Sequence, residues 1–258
     1  MTTTWNPALL TDLDLISVEQ CTQVRERLDG LRDLWIQRHP VVPFYTLGAS
    51  NYFDIAYNPE LPYYRMARET NPILRREFGW MYDTLAARLQ REFGLPVEYP
   101  EKLALPGFHI FLAHEGLRNP RALMHREWFQ KKDDPAVMSS PIHCDTPQFV
   151  INWSGIRDVS LSQPFSVTLA LGLPASGAGM YVWNLQMDET REMPEAEVFN
   201  LLQSRERWLH EYQLGRFCLH SGLRYHQIAP IPDVQPGDVR ITLQGHGLIG
   251  QKSIKLYW

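Results

Sequence analysis

Apolar residues recur every three or four positions in two early stretches, and every second position through much of the rest. Val18, Cys21, Val24, Leu28, Leu31 and Trp35 form the first stripe, the spacing of one helix face. Ser17 precedes it, with Gln20 three residues on, a capping-box signature, so a helix is expected in 17–38. Leu74, Phe78, Met81, Leu85 and Leu89 form the second stripe. Asn71 is placed to cap it, Pro72 to fill its first position and Gly94 to end it. Both stripes are expected to pack on the protein's own sheet.

After Gly94 the period shortens to two. KLALPGFHIFLA, QFVINW, PFSVTLALGL, GMYVWNL, RFCLH and DVRITLQGHGL read as strands, most of them bounded by Gly, Pro, Asn or Asp. A helix-like insert, MPEAEVFNLLQSRERWLHEY, interrupts them. The pattern predicts one domain, 1–258. A mainly helical outer layer, 1–96, covers an antiparallel sheet, 97–258, that closes into a jelly roll or barrel. The polar, irregular run 116–140 is a lid candidate.

Composition narrows the partners. Of 258 residues 44% are apolar, enough for a sizeable core, and the net charge is −4. No basic field exists to hold a nucleic acid or an anionic membrane. No apolar run is long enough to span a bilayer. The first residues lack a basic start and a long apolar run, so no secretory signal is read. Cys21, Cys144 and Cys218 are odd in number and widely spaced, matching no disulfide framework. A cytoplasmic monomer or homodimer acting on a small molecule is expected.

The stretch SSPIHCDTPQF carries the candidate chemistry. In an extended chain His143 and Asp145 point to one side. Two histidines and a carboxylate on one face of an octahedron suit a first-row divalent metal and leave positions open. The second histidine would come from His210, His220, His226 or His246. His210 lies in the charged, helix-like insert. His246 stands between Gly245 and Gly247, which suggests a bend. His220 and His226 flank SGLRY. Arg240 favours His226: it follows by fourteen residues and shares a strand face with Thr242. An arginine facing inward needs an anion, and a carboxylate meets its fork bidentately. The plainer alternative makes His143 and Asp145 a surface hydrogen-bonded pair, with Arg240 bonded to Asp238 or Glu211.

The H-x-D…H…R order resembles that of the Fe(II)/2-oxoglutarate-dependent dioxygenases. The run from His226 through PGDVRITLQGH is similar to the last core strands of small-molecule hydroxylases, loosely the phytanoyl-CoA hydroxylase-like and free-amino-acid hydroxylase-like groups. The resemblance covers about 108–247. It implies a double-stranded β-helix (cupin-like jelly roll) with iron held by His143, Asp145 and His226. It also implies that Arg240 and Thr242 hold the far carboxylate of 2-oxoglutarate, and that O₂ is the oxidant. Relatives that halogenate lack the carboxylate; this chain keeps Asp145, so hydroxylation of a small polar, amino-acid-like metabolite or natural-product intermediate is expected. A jelly-roll binding module needing no metal, or an iron jelly roll not using 2-oxoglutarate, are the rivals. Further contacts to cosubstrate or substrate are expected from His109, from Gln148 and Asn152 on one strand face, from His125, Arg126 and Trp128 in the lid candidate, and from Trp258 folding back over the barrel mouth.

Overall fold

The computed structural model describes residues 5–55, 62–118, 124 and 141–258, and all counts below refer to these. Twelve strands form two sheets, antiparallel throughout except for one short parallel pair at the edge of the larger. In chain order they are β1 Leu10–Asp14, β2 Ile36–Gln37, β3 Phe44–Leu47, β4 Val97–Glu98, β5 Gly107–Leu112 and β6 Pro164–Gly172. There follow β7 Gly179–Gln186, β8 Arg207–Glu211, β9 Arg216–His220, β10 Arg224–Ile228, β11 Val239–Ile249 and β12 Ile254–Tyr257. The large sheet runs β1-β9-β6-β11-β5-β3-β2, with β12 beside β11 and β4 beside β12; the small one runs β10-β7-β8. The helices are α1 Val18–Asp29, α2 Tyr63–Phe93 and α3 Glu195–Ser204. The chain is therefore mainly β with helices near its N-terminus. The segment 1–96 is more than a helical layer, because it also adds β1, β2 and β3 to the large sheet.

The large sheet is buried on both faces, which explains its composition. In β6, Phe165, Val167, Leu169 and Leu171 pack with Leu28 of α1 and with Phe78, Leu85 and Leu89 of α2 in the main core. The alternate residues Ser166 and Thr168 are also buried but turn inward. The period-two pattern here separates apolar from small polar positions rather than core from solvent. Burying the apolar face is the dominant stabilising term, on the order of 25 cal/mol per Å².

The helices depart from the sequence expectation at their ends. The Ser17–Gln20 capping box forms, but α1 stops at Asp29, and Leu31 and Trp35 reach the core from a following 3₁₀ turn and strand. Val18, at the first helical position, is exposed. Helix α2 starts at Tyr63, eight residues before Asn71, and carries Pro72 inside it. Tyr63, Met66 and Ala67 pack with Tyr257 and Trp258. That burial outweighs the backbone hydrogen bond a proline cannot donate. Asn71 caps nothing: its amide donates to the Leu103 carbonyl and accepts from the Leu105 N–H. Gly94 ends the helix at φ 73°, donating to the Gln90 carbonyl.

Two further readings change. QFVINW is not a strand; Pro147–Phe149 form a 3₁₀ turn, since Pro147 sits best where a first-turn N–H is not needed. The helix-like insert breaks after Ser204, and Arg207–Glu211 continue as strand β8 with alternating burial. His210 is thus a strand residue, and its Nε2 bonds Asp12 at 3.0 Å.

Candidate metal centre

His143 and His226 meet as an isolated antiparallel bridge: each backbone N–H donates to the other's carbonyl, at 3.0 and 2.9 Å. The extended IHCDT stretch thus runs beside β10. Two residues on, the Asp145 N–H donates to the Gly222 carbonyl at 2.8 Å. Gly222 adopts φ +76°, and a Cβ there would stand 2.9 Å from that of Asp145, so the turn after β9 admits only glycine comfortably.

The side chains converge. His143 Nε2 lies 3.5 Å from one Asp145 oxygen and His226 Nε2 3.6 Å from the other, and one ligand atom of each residue lies within 4.8 Å of the others. The outer nitrogens are fixed: His143 Nδ1 bonds the Pro141 carbonyl at 2.8 Å, and His226 Nδ1 bonds that of Arg224 at 2.8 Å. A carbonyl only accepts, so each Nδ1 carries the proton. Backbone-anchored imidazoles with Nε2 directed inward are the arrangement of metal-ligating histidines.

Without a metal the cluster is held by its own charges. Burial pushes the Asp145 carboxyl up, but His226 and His143 overrule it and leave it well below the usual carboxylate range. Burial lowers His226 and Asp145 raises it, with the net shift upward. A cation held here would be bound by the neutral form of His226 through Nε2. Three protein donors of this type, with space beside them, fit a catalytic first-row divalent ion.

That space is a cavity of about 180 Å³ between the sheets, the size of a small molecule. Its walls include the three candidate ligands, Asn51 and Tyr52 from the π-helical turn Asn51–Ile55, His109 on β5, Ser166 on β6, Tyr212, His220, and Gln244 and His246 on β11. Burial holds His109 well below the ordinary histidine range, His220 down to about 3, and His246 below its usual value.

Arg240 lies on the same face of β11, deeper in the barrel. It is buried, and its terminal nitrogens donate to the Ala229 and Gly179 carbonyls at 3.1 and 3.0 Å. Its guanidinium sits 5.8 Å from the Phe111 ring and 5.6 Å from that of Tyr212, a cavity residue. Neither Asp238 nor Glu211 pairs with it. No carboxylate among the described residues does, so a buried cation stands without an anion. That fits an anionic ligand entering from the Tyr212 side. Thr242 is buried beside it, and its hydroxyl accepts from Gln244.

The other expected contacts scatter. His109 lines the cavity and its Nε2 meets the Tyr52 hydroxyl at 2.5 Å. Gln148 is buried but lies off the wall, and Asn152 is exposed. The 3₁₀ turn destroys the shared face that a strand would have given them. Trp258 is fully buried against His109, ring centroids 5.3 Å apart, and does not line the cavity. His125, Arg126 and Trp128, and most of 116–140, lie outside the described residues. Sequence reasoning missed Asn51, Tyr52, Ser166 and His246. For His246 a signal existed: positions 240, 242, 244 and 246 share one strand parity. Its flanking glycines make no bend. A Cβ on Gly247 would meet the Phe165 ring at 2.0 Å and one on Gly245 would meet Pro106 at 2.8 Å, so they admit close neighbours.

No family model and no curated protein matches the chain. Among solved structures it is similar to an N-substituted L-amino acid dioxygenase from Burkholderia ambifaria AMMD in complex with alpha-KG. Identity is 13%, the alignment covers 96% of this chain and 86% of that one, and the TM-score is 0.51. This likeness establishes a shared fold. Weaker likenesses, which carry no argument, are to the non-heme alpha ketoglutarate dependent carbocyclase SnoK from nogalamycin biosynthesis (11% identity, 98% and 93% covered, TM-score 0.49) and to EctD from S. alaskensis with bound Fe (9%, 96% and 76%, 0.49).

Proposed function

We propose that the chain is an Fe(II)/2-oxoglutarate-dependent oxygenase acting on a small polar metabolite, amino-acid-like or a natural-product intermediate. The observation that carries this reading is the convergence of His143, Asp145 and His226 with both histidines anchored through Nδ1. The fold shared with a dioxygenase holding alpha-KG supports it. When bound, iron and 2-oxoglutarate supply the oxidising chemistry, in which O₂ is consumed and the cosubstrate loses CO₂.

The chain's own residues do the rest. His143, Asp145 and His226 would hold the metal on one face and leave the cavity side free. Asp145 occupies the position that a halide would need, so the reading is hydroxylation, or an outcome that starts from it. Arg240 and Thr242 would hold the distal carboxylate of 2-oxoglutarate. The Phe111 and Tyr212 rings flank that guanidinium and keep water from it, which strengthens its attraction for the anion. Phe44, Met180 and Ile228 make the rest of the wall apolar and orient the substrate by shape.

The test is turnover. With Fe(II), 2-oxoglutarate and ascorbate, the purified protein should form succinate slowly alone and faster with a matching substrate. His226→Ala should abolish both. A protein that binds Mn(II) but never forms succinate across a broad metabolite panel would overturn the 2-oxoglutarate reading.

A further inference from the structure

We infer that His246 is a substrate-binding residue, and that the substrate is a neutral metabolite presenting an N–H or O–H donor next to the metal. This deepens the oxygenase reading and rests on it.

One proton decides the tautomer of His246. The Ser166 hydroxyl donates to an Asp145 oxygen at 2.7 Å. A hydroxyl has a single hydrogen, so its second bond, to His246 Nδ1 at 3.0 Å, is one it accepts. His246 is therefore protonated on Nδ1. A proton on the buried Nε2 would need an acceptor, and none among the described residues reaches it, so Nε2 is a bare lone pair. That atom is buried in a residue lining the cavity and has no hydrogen-bond partner among the described residues. Buried acceptors of this kind cost about 1–3 kcal/mol when left unmet, so a ligand that supplies a donor is selected.

The donor does not come from 2-oxoglutarate, whose keto group and two carboxylates only accept. Nor does O₂ carry one. Of the three molecules the reaction consumes, only the one being oxidised can carry it. Ser166 bridges His246 to Asp145, which puts the His246 ring one hydroxyl away from a candidate metal ligand. A second unmet residue lines the same cavity: Asn51 is fully buried, and neither its amide nitrogen nor its amide oxygen has a partner among the described residues. Together they hold two unmet acceptor atoms and one amide nitrogen with two unmet hydrogens. Among the described residues no lysine or arginine lines the cavity and Asp145 is its only carboxylate, so a zwitterion meets no free counter-charge. Amides, lactams and alcohols match this wall better than free amino acids do.

Two measurements test the inference. The first needs no turnover: nitrogen-15 NMR of the metal-free, histidine-labelled protein should show His246 protonated on Nδ1. A proton on Nε2 would overturn the inference. The second uses Mn(II) and 2-oxoglutarate as an inert loading and follows thermal stabilisation by a panel of small amides, lactams, alcohols, their N- or O-methylated forms, and free amino acids. Neutral donors should stabilise the wild type, and methylation should weaken binding about tenfold, the loss of one buried hydrogen bond. His246→Phe and His246→Gln should lose the difference between parent and methylated probes while still binding Mn(II) and 2-oxoglutarate. Free amino acids binding best, or no neutral donor binding, would overturn the substrate class. Failure of the wild type to bind Mn(II) and 2-oxoglutarate at all would instead remove the oxygenase reading.

Discussion

At the scale of single residues, two buried arginines solve the same problem differently. Arg38 is paired: its terminal nitrogens bond both Asp54 oxygens at 2.7 and 2.9 Å, and its Nε bonds the Thr46 hydroxyl. The same carboxylate accepts the Ser50 N–H, so the pair fixes the turn that brings Asn51 and Tyr52 into the cavity. Removing one partner strands a buried charge. Asp54→Ala should cost about 3–5 kcal/mol, read by denaturant unfolding, and Arg38→Met in the same chain should restore part of it. Arg240 has two carbonyls and Tyr212 beside it, but no carboxylate among the described residues. Its missing partner is supplied, in the proposed reading, by 2-oxoglutarate. Arg240→Leu should therefore leave folding nearly intact but raise the KM for 2-oxoglutarate by about thirtyfold or more, since truncating one side of a buried charge pair costs roughly 2–5 kcal/mol. Arg240→Lys should recover only part, because an ammonium cannot match a carboxylate with two parallel bonds. Equal KM values in all three proteins would show that the anion binds elsewhere.

At the scale of elements, the turn joining β11 and β12 hangs on one carboxylate. Asp158 adopts φ +58° and accepts from the backbone N–H groups of Gln251, Lys252 and Ser253 and from the Ser253 hydroxyl. Those bonds hold its carboxyl down at about 2, against an ordinary value of 3.8. A depressed folded-state value means stability that is present above the unfolded-state value and lost as pH falls through the folded one. The melting temperature of the wild type should thus drop between about pH 4 and pH 2, and Asp158→Asn should show less of that drop. The same turn shows what a sequence conceals. DVRITLQGHGL was legible as a strand because alternation survives on both its faces, and so Arg240 and Thr242 could be placed together. The link from Asp158 to residues 251–253 spans more than ninety positions and leaves no local periodicity. QFVINW misled for a related reason: its apolar content suits a strand, but Pro147 decides its backbone. The start of α2 was hidden because Tyr63, Met66 and Ala67 are helical only in contact with Tyr257 and Trp258. The H-x-D pair was readable because strand parity predicts its convergence, and the distal histidine because of its spacing to Arg240. Ser166 and Asn51 were not singled out, since polar residues facing inward from distant elements look like any solvent-facing position, and His246, legible as a candidate ligand, was disfavoured by its flanking glycines.

At the scale of the molecule, the three candidate ligands join parts that the backbone barely connects. His226 belongs to the small sheet. His143 touches it through one bridge, and Asp145 is tied to the turn after β9 of the large sheet and, through Ser166, to β6. A metal held by all three closes the gap between the sheets at its centre. Because the ion binds only the native arrangement, it should raise stability by about 2.7 kcal/mol at a hundredfold excess over its dissociation constant. In a chain of this size that is roughly 5–10 °C in melting temperature, and 2-oxoglutarate should add to it. The gain should be spatially uneven. Amide hydrogen exchange should slow most in β10 and in 141–146, which the metal pins directly, and least in α1 and α2, whose packing on the outer face of the large sheet is already complete. Asp145→Ala should keep the helices' protection unchanged and lose both the melting shift and the slowed exchange in β10. Uniform slowing across helices and sheets alike would mean that the ion stabilises the fold as a whole, and that the two sheets do not depend on it to stay together.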